Sequence, residues 1–358
     1  MLFNKTEKLS WTVFGQSHSE KMGIVISGLP AGFAPNIEKL ESFMKRRAPG
    51  GNSFSTTRKE ADKPQFVSGI NPDGTLCGAP LCILIDNTNQ KSSDYEKLKA
   101  VPRPSHSDYA AYVKYNGFND IRGGGQFSGR LTAPLCAAGG IAKQILEEKG
   151  IYVSAHISSI YGIKDESFNF VEAEKELYKK LEQKEFPVIS DEAGGKMKER
   201  ILSAKKNLDS VGGSIECVIT GLKPGLGSCD ESVESKIAAA AFGIPAVKGI
   251  EFGKGFECEN LYGSECNDEF YYDNDGCVKT YTNNNGGILG GITCGMPVVF
   301  KLAIKPTPSV AKKQRSINLF TGKAEELEIK GRHDPCIVQR AVPVAEAVAA
   351  LVALDLVD

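Results

Sequence analysis

Arg122-Gly123-Gly124-Gly125-Gln126-Phe127-Ser128-Gly129-Arg130 runs without a break into a stretch of small and apolar residues that ends at Gly150. Three successive glycines allow backbone angles that other residues adopt only at a cost, and they leave N–H groups uncovered by side chains. Ser128 reads as the cap of a helix that Gly150 ends, with Lys143 and Lys149 toward its negative end. A glycine turn feeding a helix start between Arg122 and Arg130 has two readings. It is an anion pocket, or it is a turn that lets two elements pack closely. The glycine spacing is not that of a dinucleotide-binding turn, and no Gly-Lys-Ser of a triphosphate-binding loop follows.

Short strands and tight turns surround this stretch. Gly23–Ser27 reads as a strand and Gly28–Gly32 as the turn after it. Asn36 caps a helix whose Ile37, Leu40 and Met44 share a face. That helix ends in Lys45-Arg46-Arg47, which on its own reads as a solvated helix end suited to the dipole. Strands are expected at Gln65–Ile70 and Pro80–Asp86. In the loop Val101–Tyr109, Pro102 and Pro104 hold His106 in a fixed place, as a proton-transfer group or as a hydrogen-bonded structural residue. Residues 170–208 are strongly charged and read as two peripheral helices with solvated faces.

A strand at Gly213–Thr220, a Gly-Leu turn from Gly221 and a helix over Asp230–Phe242 repeat the order seen near the start. This suggests two related βα halves, about 1–150 and 210–358, within one domain spanning 1–358. Asp273–Gly276 and Asn283–Gly287 read as hairpin turns. Gly286–Gly291 is too glycine-rich for a plain strand and suits close approach of a ligand. A strand at Pro297–Ile304 delivers Lys305-Pro306-Thr307-Pro308-Ser309, whose lysine and hydroxyls suit a phosphate. Asp334 reads as a helix N-cap with Pro335 at the first helical position, and Pro343 is expected to break or restart that helix.

Several function classes drop out. The formal net charge of −1 argues against a general nucleic-acid binder, although Arg122-Gly123-Gly124-Gly125 and Lys312-Lys313-Gln314-Arg315 are local basic clusters. The ten cysteines include no C-x-x-C and the chain has four histidines, so a metal site is not expected. The cysteines read as reduced thiols, mostly core packing, in a cytoplasmic protein. No signal peptide is read at the start, and the most apolar segment, Ala341–Val357, is too short and too interrupted to span a bilayer. A soluble protein without nucleic-acid or membrane partners is expected.

Taken in order, the motifs resemble the chorismate synthase family along nearly the whole chain. The matching stretches are Phe14-Gly15-Gln16-Ser17-His18 with Gly28-Leu29-Pro30, Arg103-Pro104-Ser105-His106, Arg122–Arg130, Ala246–Glu251, Gly286–Ile292, Lys305-Pro306-Thr307, and Gly331–Cys336 with Arg340–Glu346. The resemblance implies an α+β fold, a β-α-β sandwich with central helices between antiparallel sheets, assembled as a homotetramer. It implies a lyase that removes phosphate and a ring hydrogen from 5-enolpyruvylshikimate 3-phosphate by anti-1,4-elimination, giving chorismate at the end of the shikimate pathway. It also implies reduced FMN as cofactor. NADPH is a possible reductant of that flavin, but no added reductase domain is visible, which favours an external source.

By the same resemblance His18 protonates the departing phosphate, His106 controls protonation of the flavin, and Asp334 acts at flavin N5. Arg47, Arg130 and Arg332 collect the anionic substrate, which raises Arg47 above the solvated-end reading. Flavin contacts map onto Gln126, Phe127, Ser128, Ala246, Gly290, Lys305, Pro306, Thr307, Pro308, Ser309 and Arg332. The chain departs from the family pattern where it has Gln126-Phe127 for Arg-Ser, Pro245 for Asn, Ser53 for Arg and Ser19 for Gly. Those departures bear on flavin affinity more than on the proposed catalytic residues. The alternative is a catalytically weak relative that binds flavin or substrate for another role.

Overall fold

Alternating apolar residues build the first of two five-stranded sheets. The computed structural model describes residues 3–5, 8–50, 61–87, 96–329 and 334–357. Its first half contains β1 (Phe3–Lys5), β2 (Ser10–Phe14), β3 (Lys21–Ser27), α1 (Ile37–Arg47), β4 (Pro64–Ser68), β5 (Leu81–Asp86), α2 (Asp108–Lys114) and α3 (Thr132–Glu148). Met22, Ile24 and Ile26 of β3 stand opposite Ile85, Ile83 and Leu81 of β5, and all six are buried. This period-two pattern puts one face of the sheet in the core. The strand order is β1-β2-β3-β5-β4, antiparallel throughout. Asn36 caps α1 as expected, its Oδ1 accepting the Lys39 N–H at 2.9 Å.

The second half repeats that order with an insertion. It runs β6 (Tyr152–Ile160), β7 (Ile163–Lys164), α4 (Lys175–Gln183), α5 (Asp191–Lys206), β8 (Gly213–Thr220), α6 (Val233–Phe242), β9 (Val247–Phe252), β10 (Val298–Ile304) and α7 (Val338–Val357). Its sheet has the order β7-β6-β8-β10-β9. β6, β8, β9 and β10 thus occupy the places of β2, β3, β4 and β5, with α6 answering α1 and α7 answering α3. The strands in those places begin at Tyr152, and the two charged helices lie between the first two of them.

Between the sheets lie the two small-residue helices. α3 packs on β3 and β5, α7 packs on β6 and β8, and the two helices pack on each other. A Cβ added at Gly139 would fall 2.3 Å from Ala347 Cβ, so the helix backbones touch there with no side chain between them. One hydrophobic cluster runs through both halves.

Several local expectations are corrected. Pro343 does not break α7, which continues from Val338 to Val357. Burial of nearly every residue of this helix outweighs the roughly 3 kcal/mol that an interior proline costs. Asp334 is not its N-cap, since the helix starts four residues later. α6 starts at Val233 rather than Asp230, with Ser232 as its cap. Asn283–Gly287 is not a hairpin turn; the hairpin there pairs Ile288–Leu289 with Ile292–Thr293 and turns at Gly290-Gly291. Of the ten cysteines, all free, only Cys136, Cys217 and Cys336 are buried.

The charges within the helical layer are paired. Glu346 of α7 is fully buried and accepts two bonds from Arg46 of α1, at 2.7 and 2.8 Å, and one from Lys143 of α3 at 3.0 Å. Lys143 also bonds Glu182 of α4. Lys143 therefore does not face the helix end, and Arg46 is not a solvated terminal cation. Burial alone would push the Glu346 carboxyl up, but Arg46 and Lys143 hold it down at about 2. A carboxyl held below its ordinary value of 4.5 stabilises the fold fully above about pH 4.5 and loses that contribution as pH falls toward 2. Glu346→Gln should cost about 3–5 kcal/mol near neutral pH, because two buried cations lose their partner. In urea melts the gap between wild type and variant should narrow steadily below about pH 4.5. A gap that stays constant to the acid limit would show that Glu346 is not the group responsible.

Candidate active site

Loops from both halves meet around a cavity of about 590 Å³. The first half supplies Arg47, Arg103 to Ser107 and the turn Gly123–Thr132, and the second supplies Phe242–Lys248, Lys305–Ser309 and Asp334–Val344. The glycine turn explains how these parts approach. Gly123, Gly124 and Gly125 all lie in the left-handed region, with φ of 60°, 93° and 54°. A Cβ on Gly123 would come 2.2 Å from Ser17 Oγ and 2.7 Å from His18 Cε1. One on Gly124 would come 3.0 Å from His106 Cε1, and one on Gly125 2.2 Å from the Asp120 carbonyl oxygen. Close packing thus accounts for each glycine, and its beneficiaries are the two histidines singled out by sequence.

His18 is buried directly behind Gly123, which lines the cavity although His18 itself does not. Its loop is fixed by Ser17 N–H donating to the Gly125 carbonyl at 2.9 Å and by Asn87 Nδ2 donating to the Ser17 carbonyl at 2.7 Å. His106 does line the cavity. Burial pushes its imidazole down, and Arg103 and Lys305 add to that, while the Asp108 carboxylate opposes it. Asp334 is on the wall, and its Oδ2 accepts a bond from Arg340 Nη1.

Ser128 caps only the short turn Gly129–Leu131 that leads into α3, accepting the Arg130 N–H at 3.2 Å. Gln126, Phe127, Ser128, Ala246, Lys305, Thr307, Pro308 and Ser309 all line the cavity. Pro306 and Gly290 are not among the lining residues, and Gly290 is exposed on its hairpin turn. Arg332 and Ser53 lie outside the described residues.

The two remaining predicted arginines sit together, on a partner that sequence did not reveal. Arg47 donates to Asp62 at 2.8 Å, to Thr132 Oγ1 at 3.1 Å and to the Gly129 carbonyl at 2.9 Å, and Arg130 also bonds Asp62. Asp62 is buried and left-handed, with φ 46°. Its surroundings, Lys59-Glu60-Ala61-Asp62-Lys63, read as an ordinary charged surface. Arg103 is likewise buried, on Asp108. Among the described residues the wall therefore presents six cations, Arg47, Arg103, Arg130, Lys248, Lys305 and Arg340, while three carboxylates (Asp62, Asp108 and Asp334) pair with four of them. Burial, with Lys248 nearby, pushes the Lys305 ammonium down. The excess positive charge, beside the apolar surfaces of Phe127, Leu131, Ile244 and Ile337, suits a polyanionic ligand with a flat apolar part.

The comparisons with known proteins agree along the whole length. The chorismate synthase family profile matches residues 9–357. The chain belongs to the chorismate synthase family. A chorismate synthase of Lancefieldella parvula is 45% identical over 99% of this chain and 95% of its own. One from Pyrococcus abyssi is 46% identical over 97% and 95%. A crystal structure of a chorismate synthase superposes with a TM-score of 0.75 at 27% identity, covering 98% of this chain and 92% of that one. Against the chorismate synthase pattern, three of this chain's departures (Gln126, Phe127 and Pro245) fall on the cavity wall, where a ligand would meet them.

The glycine packing can be tested directly. Gly123→Ala should lower stability by about 1–3 kcal/mol, from overpacking against Ser17 and His18 and from the left-handed backbone. Gly129→Ala, whose Cβ meets nothing within 4 Å, should stay within about 0.5 kcal/mol of wild type. Equal melting temperatures for the two variants would remove the packing argument.

Proposed function

We propose that the protein eliminates phosphate and a ring hydrogen from 5-enolpyruvylshikimate 3-phosphate to form chorismate, with reduced FMN bound beside the substrate. The observation that carries this reading is the cavity, which gathers His106, Asp334 and a surplus of cations in a chain of this family. The substrate carries two carboxylates and a phosphate, and charge-assisted bonds to such groups contribute roughly 1.5–3 kcal/mol each. Arg47 and Arg130, clamped by Asp62, act as a fixed cationic platform for it.

The lining also fits the flavin. Lys305, Thr307 and Ser309 offer a cation and two hydroxyls for a phosphate, and Gln126 to Ser128 with Ala246 border an apolar surface for a ring system. When bound, reduced flavin supplies an electron-rich partner for a reaction that has no net redox change. The chain's own residues handle protons. His106 exchanges a proton at the cavity wall, Asp334 offers a carboxylate to accept one, and His18 stands behind Gly123 as the acid for the departing phosphate.

An anaerobic assay of phosphate and chorismate release with chemically reduced FMN tests the assignment. Turnover is expected with reduced FMN and not with oxidised FMN. Flavin binding without chorismate formation would favour a catalytically weak relative, and equal turnover with both flavin forms would overturn the assignment.

Asp334→Asn separates chemistry from support. The residue does not cap α7, and its structural role includes its half-buried pair with Arg340. Turnover should fall by about 10²–10⁴ if the carboxylate moves a proton, while substrate and flavin affinities change by much less. A variant with near-normal turnover would leave Asp334 with a structural role only.

A further inference from the structure

His106 has two ring nitrogens, and its neighbours dictate which one carries the proton. Nδ1 is 2.6 Å from Asp108 Oδ1. Two potential donors also approach Nδ1: Arg103 Nη2 at 3.2 Å and Ser107 Oγ at 3.4 Å. These contacts make opposite demands, because a carboxylate only accepts and a guanidinium only donates. The carboxylate contact is the shorter. Arg103 Nη2 already donates to the same Asp108 oxygen at 2.8 Å, and Arg103 Nε and backbone N–H occupy Oδ2 at 2.7 and 3.0 Å. A bare Nδ1 would set its lone pair against an anionic oxygen at 2.6 Å. The proton is therefore assigned to Nδ1, facing the Asp108 carboxylate.

We infer that Asp108 is a positioning residue that locks His106 in the Nδ1–H tautomer, so that Nε2 is left to the cavity as a proton acceptor. Nε2 lies on the ring edge beside Gly124, where only a glycine leaves the imidazole room. The charges facing the ring are Asp108, Arg103 and Lys305, and burial adds to the two cations in disfavouring the imidazolium. A neutral ring with a bare Nε2 can take up a proton, and the resulting imidazolium is met by the Asp108 carboxylate at Nδ1. Arg103 has a matching part. It fills the other lone pairs of Asp108 and reaches across to Ser309 Oγ at 3.3 Å, which ties the dyad to the loop after β10.

The consequence for turnover rests on the reaction proposed above; the tautomer does not. ¹⁵N NMR of the full-length protein labelled at histidine, with His106 assigned through His106→Gln, should show the Nδ1–H form at neutral pH. Asp108→Asn can turn its amide N–H toward Nδ1, so the proton should move to Nε2. Turnover should then fall about 10²–10⁴-fold with KM changed only a few-fold. Ionisation of His106 should shift to lower pH, since the one group favouring the charged ring is gone while Arg103 and Lys305 remain. Asp108→Glu should restore the Nδ1–H form and part of the rate. An Nε2–H form in the wild type, or an Asn variant with near-normal turnover, would overturn the inference. If the Asn variant does not fold, the wild-type tautomer decides. Absence of chorismate formation by the wild type would count against the proposed reaction and leave the tautomer result standing.

Discussion

At Gly139 the backbones of the two central helices touch, because a Cβ there would overlap Ala347. The rest of the molecule is arranged around that contact. Each helix lies under its own five-stranded sheet, so the contact sets the separation of the sheets and the register between the two halves. It also removes water from the helical layer, and any charge in that layer needs a partner in the protein. Glu346 finds two, Arg46 and Lys143, which brings α1 onto both central helices. Asp355 answers at the other end of α7, accepting the Leu9 N–H at 3.0 Å and approaching Lys236 at 3.6 Å. The two acidic residues that interrupt the apolar C-terminal run therefore fasten elements of both halves to one helix.

The same arrangement creates the cavity. Because the halves share a topology and meet along their central helices, the loop between β5 and α3 in the first half and the loop between β10 and α7 in the second reach one place. Neither loop makes a pocket alone. The glycine turn brings the His18 and His106 loops to a common backbone, and the second half contributes Lys305 to Ser309 and Asp334. Carboxylates set behind the wall hold the arginines in place rather than cancel them. Asp62 clamps two and Asp108 one, so a large part of the positive charge is fixed before any ligand arrives. Preorganised charge of that kind costs little reorganisation on binding.

Sequence made the local parts of this legible. Short apolar runs bounded by turn residues marked β3, β5, β8 and β10, and the Asn36 cap and the charged faces of α4 and α5 followed from side-chain chemistry next to the backbone. It failed where a distant partner decides the outcome. Lys143 looks like a helix-end cation until Glu346, two hundred residues away, is placed beside it. Pro343 looks like a helix breaker because its cost is local while the burial that offsets it is not. Around the cavity, the ordered motifs had named His106, Asp334 and many of the lining residues, but not Asp62, whose burial comes from Arg47 and Arg130 in other elements.

The two histidines in well-defined carboxylate contact show why burial alone does not mark a site. His156 is wholly enclosed under the charged insertion, between Asp165 at 3.0 Å and Glu216 at 3.2 Å, with the Phe168 ring edge-on at 4.6 Å. Burial would push its imidazole down, but the two carboxylates overcome it and the net direction is upward. Both ring nitrogens have acceptors, so the charged form is the one this pocket holds, and it pins β6 to β8 and to the loop carrying Asp165. His106 has one carboxylate, and Arg103 and Lys305 face it as well, so its net direction is downward. Among the described residues, only its Nδ1 has hydrogen-bonding or ionic partners. A histidine saturated on both sides is a fastening; one tied at Nδ1 and kept neutral retains a nitrogen for chemistry. What distinguishes them is the count and sign of the partners, which strand Tyr152–Ile160 and loop Val101–Tyr109 acquire only when the chain is folded.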